Sequence, residues 1–296
     1  MALEASELIL NKDGSVYHLH LLPEQIADTI ITVGDPDRVP MVSKYFDKIE
    51  HRIHKREFVT HTGYISNKKI SVISTGIGTD NIDIVLNELD ALVNIDLENR
   101  VIKKDLKSLN LIRIGTSGCL RPEIPVDSFL VSDFAIGLDG LLNFYKKEYS
   151  PSESKLLDLL KNLFSESQIN FGIEPYLSSA AEKYLKFFNQ PEFYHGITVT
   201  ATGFYAPQNR QIRAEATIKD IFSAFDSFQF ENLKITNLEM ETAGIFGLSK
   251  ILGHKAMSIS ALVANRAAGV FSADAEKTVE KLINRTLEII TDKILT

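Results

Sequence analysis

Arg113 lies inside an apolar run, Leu111-Ile-Arg-Ile-Gly-Thr-Ser-Gly118. A guanidinium flanked by isoleucines in a strand is costly to bury unless a carboxylate or a bound anion pairs with it. The residues after it are small, and two carry hydroxyls. The segment therefore reads as a strand followed by a tight turn, bringing Arg113, Thr116 and Ser117 to a place where an anion can sit. Arg38, in Gly34-Asp-Pro-Asp-Arg38, and Arg56, in Lys55-Arg-Glu-Phe58, lie beside further turn signals. The chain as a whole is acidic, with 39 Asp and Glu against 32 Lys and Arg. Guanidiniums that recur in an acidic chain point to a local anion site, because local field and net charge are separate quantities.

Other segments carry groups of chemical interest. Asn237-Leu-Glu-Met-Glu-Thr242 puts two carboxylates where a strand meets a helix. They can compensate the helix N-terminus, worth roughly 0.3–1 kcal/mol each, or grip vicinal hydroxyls of a sugar. Phe204-Tyr-Ala-Pro-Gln-Asn-Arg210 combines rings, an amide and a guanidinium. That set can read a pyrimidine edge, although an ordinary polar loop would look the same. Ser74-Thr-Gly-Ile-Gly-Thr79 is a glycine-rich strand-to-helix turn able to aim N–H groups at an anion. It fails as a dinucleotide fingerprint because Asn81 stands where the third glycine belongs. His18-Leu-His20 would share a face on a strand, but no third ligand is evident, and metal catalysis is not expected.

The elements that must position these groups alternate along the chain. Strands are expected at 29–34, in a hairpin over 57–74 with its turn at Ser66-Asn67-Lys68, and at 128–133, 195–201, 235–238 and 256–263. Asp35 and Pro36 read as an N-cap and first helical residue. Helices are expected from Ile82 onward, over 152–164, around Ala243–Leu248, and at the C-terminus with Val279, Leu282, Ile283, Leu287, Ile290 and Ile294 on one face. Residues 100–110 read as a lysine-rich surface connector. This alternation gives an α/β fold with a central mixed β-sheet flanked by helices, expected as one domain over residues 1–296. No run of eighteen apolar residues occurs, so a membrane span is not expected. Cys119 is the single cysteine, and the acidic N-terminus lacks signal-peptide features, which together suggest the cytoplasm. The charge balance argues against nucleic acid as a partner.

Taken together and in order, Gly34-Asp-Pro-Asp-Arg-Val39, Arg56-Glu-Phe58, Ser74-Thr-Gly-Ile-Gly78 with Glu88-Leu89, Arg113-Ile-Gly-Thr-Ser-Gly118 and Glu239-Met-Glu241 resemble the nucleoside phosphorylase-I family, and within it the uridine phosphorylases. The resemblance runs from about Val16 nearly to the C-terminus. It implies reversible phosphorolysis of uridine to uracil and ribose 1-phosphate, with inorganic phosphate as co-substrate and no other cofactor. By resemblance, Gly34, Arg38, Arg113 and Thr116 hold phosphate, and Arg56 reaches the neighbouring subunit's phosphate. His18, Met240 and Glu241 hold ribose, His18 from across the interface. Phe204, Gln208, Arg210 and Val263 surround the base, and Arg113, Glu241 and Arg210 carry the catalysis. Asn265 stands where purine-specific members carry an aspartate. The family implies homodimers or homohexamers with shared sites, and a monovalent cation can sit between subunits near Glu57 and Ser74. Purine nucleoside phosphorolysis, or a nucleosidase of the same fold, is the alternative. The chain departs from the family pattern at Asp80-Asn81 and Ala206-Pro207.

Overall fold

A computed structural model describes residues 2–219 and 221–295. The strands are β1 (Thr29–Val33), β2 (Lys48–Lys55), β3 (Phe58–Ile65), β4 (Lys68–Ser74), β5 (Ile95–Asp96), β6 (Val101–Ile102), β7 (Asn110–Cys119), β8 (Phe129–Gly137), β9 (Tyr176–Ser179), β10 (Phe193–Thr200), β11 (Gln229–Phe230), β12 (Leu233–Glu239), β13 (Lys255–Asn265) and β14 (Val270–Phe271). The α-helices are α1 (Arg38–Ser43), α2 (Thr79–Asn94), α3 (Pro151–Glu166), α4 (Glu182–Leu185), α5 (Ile221–Ser227), α6 (Thr242–Ile251) and α7 (Ala275–Lys293).

Twelve of these strands form one mixed sheet in the order β11-β12-β10-β8-β13-β7-β1-β4-β3-β2, with β9 on β8 and β14 on β13. The chain has the expected α/β fold. β12 also pairs with the end of β7, Asn237 opposite Cys119 and Leu238 opposite Gly118. That contact closes β7, β13, β8, β10 and β12 into a barrel-like ring. The parallel strands β1 and β7 run side by side, so Gly34 and the Thr116–Gly118 end of β7 emerge at the same edge. This edge beyond the strand C-termini is where open α/β sheets bind ligands.

Helices cover both faces. α2 and α6 pack on one side, with Ile82, Val85, Leu86, Leu89 and Leu92 of α2 buried at the expected helical spacing. α1 and α7 pack on the other, where Val279, Leu282, Ile283, Leu287 and Ile290 form the buried face. α3 begins with a capping box, Ser150 accepting from the Glu153 N–H while the Glu153 carboxylate accepts from the Ser150 N–H. Among the described residues, no helix is long and apolar enough to cross a membrane.

Several expectations need correction. Asp35 does not cap a helix beginning at Pro36; it accepts the Asp37 N–H at 2.9 Å in a local turn, and α1 starts at Arg38. Pro40 fits because it falls in the first turn, where a backbone donor has no intrahelical acceptor. The segment Thr116–Gly118 is not a turn but the last part of β7, held by ladder bonds to β13 and β12. His18 and His20 are not on a strand: they sit in a turn, and His20 takes a left-handed φ of 56°. The 100–110 connector is largely exposed as expected, but it also contributes the short β6.

Candidate active site

A cavity of about 620 Å³ opens at the common edge of β1, β7 and β12. That is within the usual range for a small-molecule site. Ten of the twelve residues expected to hold substrate line it: Gly34, Arg38, Arg113, Thr116, Phe204, Gln208, Arg210, Met240, Glu241 and Val263. They come from five separate segments of the chain.

Arg113 is the centre of one end. It is 5% exposed, and its Nη2 donates to Glu241 Oε2 at 2.6 Å and lies 3.0 Å from Glu239 Oε2. The carboxylates demanded by a buried guanidinium in β7 are therefore supplied by the end of β12 and the residue before α6. Gly115 makes the arrangement possible, because a Cβ there would stand 2.0 Å from Arg113 Nη1. The arginine side chain lies across the bare glycine two residues along the same strand face. Burial works to lower the Arg113 pKa, but Glu239 and Glu241 together outweigh it and hold it above the ordinary arginine value. Burial pushes Arg38 the other way, aided by the neighbouring Arg113 charge.

Glu239 is the hub that sequence reasoning did not assign. It accepts from the backbone N–H of Glu241 (3.0 Å) and of Thr242 (2.9 Å), and from the hydroxyls of Thr242 (2.8 Å) and Thr200 (2.5 Å). It thus performs the helix N-terminal compensation considered for both glutamates. Glu241 lines the cavity beside it and makes no such cap; its Oε1 takes the Gly78 N–H at 2.9 Å. The glycine-rich turn therefore spends that donor on a protein carboxylate. Burial pushes the Glu241 pKa up, and the Glu239 charge adds to this against Arg113 and the Gly78 N–H.

At the other end, Arg210 Nη1 donates to Gln208 Oε1 at 2.7 Å and to the Phe204 carbonyl at 2.9 Å. Its guanidinium stacks 3.9 Å from the Phe204 ring centroid. Burial, with Arg266 nearby, brings the Arg210 pKa down to about 10. Arg266 is the second group the sequence did not disclose. It donates to the carbonyls of Gln208 (3.1 Å) and Asn209 (3.2 Å), pinning the loop that carries the amide. The available signal was its place directly after a long apolar strand. Asn265 faces away from the cavity: its Nδ2 donates to the carbonyls of Arg121 and Ile124, each at 2.8 Å, and its Oδ1 accepts the Ala268 N–H.

Arg56 and His18 are not brought to this cavity within one chain. The Arg56 guanidinium lies 5.8 Å from the Tyr17 ring centroid, and Tyr17 packs edge-on against His18. The two residues thus share one surface patch. His18 is fixed there by Glu88, whose carboxylate takes both the His18 N–H and Nδ1 at 2.6 Å. Glu57 lines the cavity, while the Ser74 hydroxyl donates to the Glu57 carbonyl and accepts the Val59 N–H.

A mixed sheet closed at one end, with guanidiniums and a carboxylate at the edge of β1 and β7 and an amide–guanidinium loop opposite, defines an α/β enzyme of the nucleoside phosphorylase type. Residues 28–295 match the family described as the phosphorylase superfamily, and the chain belongs to it. The chain is 27% identical to a uridine phosphorylase of Thermococcus kodakarensis, over 95% of this chain and 88% of that protein. It is also 27% identical to a uridine phosphorylase of Haemophilus influenzae, over 92% and 95%. Its structure superposes on a Trypanosoma brucei nucleoside phosphorylase that shows uridine phosphorylase activity, with a TM-score of 0.86, 29% identity and coverage of 96% and 99%.

Proposed function

We propose that this enzyme cleaves uridine with inorganic phosphate, giving uracil and ribose 1-phosphate, reversibly. The observation that carries this reading is a single cavity walled by Arg38, Arg113 and Thr116 at one end, Met240 and Glu241 between, and Phe204, Gln208 and Arg210 at the other. Phosphate sits at the first end, ribose against Glu241 and Met240, and uracil under Phe204 and Val263. As the bond from the anomeric carbon to uracil N1 breaks, its electron pair leaves with the base. A phosphate oxygen then forms the new bond to that carbon, and the uracil anion takes a proton. Arg38 and Arg113 hold the nucleophile, while Gln208 and Arg210 face the carbonyls that gain charge. These are fixed dipoles and charges aimed at charge that develops in the transition state. Arg56 and His18 complete the site from a second copy of the chain in a homodimer, or in a homohexamer built from dimers. A monovalent cation near Glu57 and Ser74 belongs to that assembled interface.

Two details favour a pyrimidine over a purine. Gln208 is buried at the base end and bonded to the half-buried Arg210, and Asn265 is engaged with backbone groups away from the cavity. A panel of uridine, thymidine, deoxyuridine, inosine and adenosine, run with and without phosphate, tests the proposal. Phosphate-dependent release of uracil from uridine is expected. Faster turnover of inosine would assign a purine enzyme, and base release without phosphate would assign a nucleosidase.

A further inference from the structure

The charges lining the cavity do not favour an anion as they stand. Three guanidiniums, Arg38, Arg113 and Arg210, face four carboxylates, Asp35, Glu57, Glu239 and Glu241. Arg113, the most buried of the three, is already shared by two of those carboxylates through one nitrogen, at 2.6 and 3.0 Å. With Arg56 of a second copy added, as proposed above, four guanidiniums meet four carboxylates, so a dianion placed against Arg38 and Arg113 still adds two negative charges to a site that is not positive to begin with. In a buried site such an excess is relieved by protonation or by another cation.

We propose that binding of a dianionic oxyanion in this cavity is coupled to uptake of one proton, held on the Glu241 side of the Glu239–Glu241 pair. The inference rests on the phosphate assignment above and adds a property to it. The geometry selects Glu241 over Glu239. Glu239 accepts from two backbone N–H groups, two hydroxyls and Arg113, all of which stabilise its charged form. Glu241 has only the Gly78 N–H and Arg113. The groups around it are accounted for on every side. Arg113 comes from β7, Glu239 from β12, Arg38 from α1, and Asp35 from the turn before α1; Glu57 also lines the cavity, and Tyr176 of β9, its phenol pKa held up by burial, lies near Glu239. The raised pKa of Glu241 in the unliganded site is consistent with a proton being readily taken up.

Sulfate is the probe of choice, because it stays a dianion across neutral pH and brings no titration of its own. Calorimetric titration of the full chain, in its native assembly, is made in buffers of different ionisation enthalpy. The expected result is a dependence on buffer enthalpy that reports about one proton taken up per sulfate, with sulfate affinity falling about tenfold per pH unit above neutrality. In Glu241→Gln, which keeps the shape without the titrating group, the buffer dependence should vanish and the affinity slope should flatten. Sulfate binding with no buffer dependence in the unmodified enzyme would overturn the proposal: the balancing charge would then come from a bound cation. No binding of sulfate or phosphate at all, in an assembly that remains folded, would instead overturn the phosphate assignment. If Glu241→Gln does not fold, the buffer series on the unmodified enzyme still decides the question.

Discussion

Arg113 holds a buried ion group together and, in the proposed function, also grips phosphate; the two roles are separable by experiment. Removing it deletes the proposed phosphate contact and leaves Glu239 and Glu241 buried without their guanidinium. Loss of one partner from a buried ion group costs about 3–5 kcal/mol. Loss of one preorganised charge contact costs roughly 10²–10³ in rate. Arg113→Ala should therefore lower both the thermal midpoint and kcat/KM, and differential scanning calorimetry beside a uridine assay measures the two. A variant with wild-type kinetics would show that the guanidinium does not touch the reacting phosphate. Gly115→Ala probes the same group without deleting it. The new methyl would occupy the space of Arg113 Nη1, so the arginine must swing away from its carboxylates. A rise in the phosphate KM of tenfold or more is expected, from steady-state kinetics at fixed uridine, by the tenfold-per-1.4 kcal/mol relation. An unchanged phosphate KM would mean the side chain has a second position equally good for binding.

At the scale of elements, β7 and β13 were the most legible parts of the chain, because each is a long apolar run and each carries polar residues at its end. The amphipathic α2 and α7 announced themselves through their spacing. What stayed hidden was produced by pairing across long sequence distances. No local pattern tells that β12 will return to the end of β7, yet that contact is what brings Glu239 and Glu241 beneath Arg113. For the same reason Thr116–Gly118 resembles a turn: small residues break the apolar pattern, while the ladder bonds from two neighbouring strands keep it extended. The largely exposed strand β2 was missed because its lysines and histidines do not look apolar, although β3 pairs with it from Lys48 to Lys55 across one register shift between Ile49 and His51. Asn265 shows how an element's end constrains chemistry. Its amide bonds two carbonyls of the 121–124 loop. An aspartate there would set a carboxylate against those carbonyls, at a cost of about 1–3 kcal/mol for each donor lost. Asn265→Asp should be less stable to urea and should gain no inosine phosphorolysis. Appearance of purine activity would show that this side chain can turn to the base.

The whole molecule raises a different question, because Arg56 and His18 lie outside the cavity of their own chain. They cluster around Tyr17, and Glu88 of α2 locks His18 in place through three bonds to its backbone, the Leu19 N–H and its ring. A patch so ordered, carrying a guanidinium and an imidazole, fits donation to a second copy across a two-fold axis. In such an isologous dimer each site draws Arg113 from one chain and Arg56 from the other. Complementation then follows from symmetry. Arg56→Ala and Arg113→Ala homodimers should each be nearly inactive. When the two are mixed, unfolded and refolded together, each mixed dimer regains one intact site and carries one doubly defective site. Random reassortment makes half of the dimers mixed, so activity should recover to about a quarter of the wild-type value per site. Recovery on mixing would show that the reacting centre is built by two chains. If each variant stays inactive in the mixture while mixed dimers are demonstrated by mass spectrometry, the two arginines do not complement each other across the interface and the shared site is overturned.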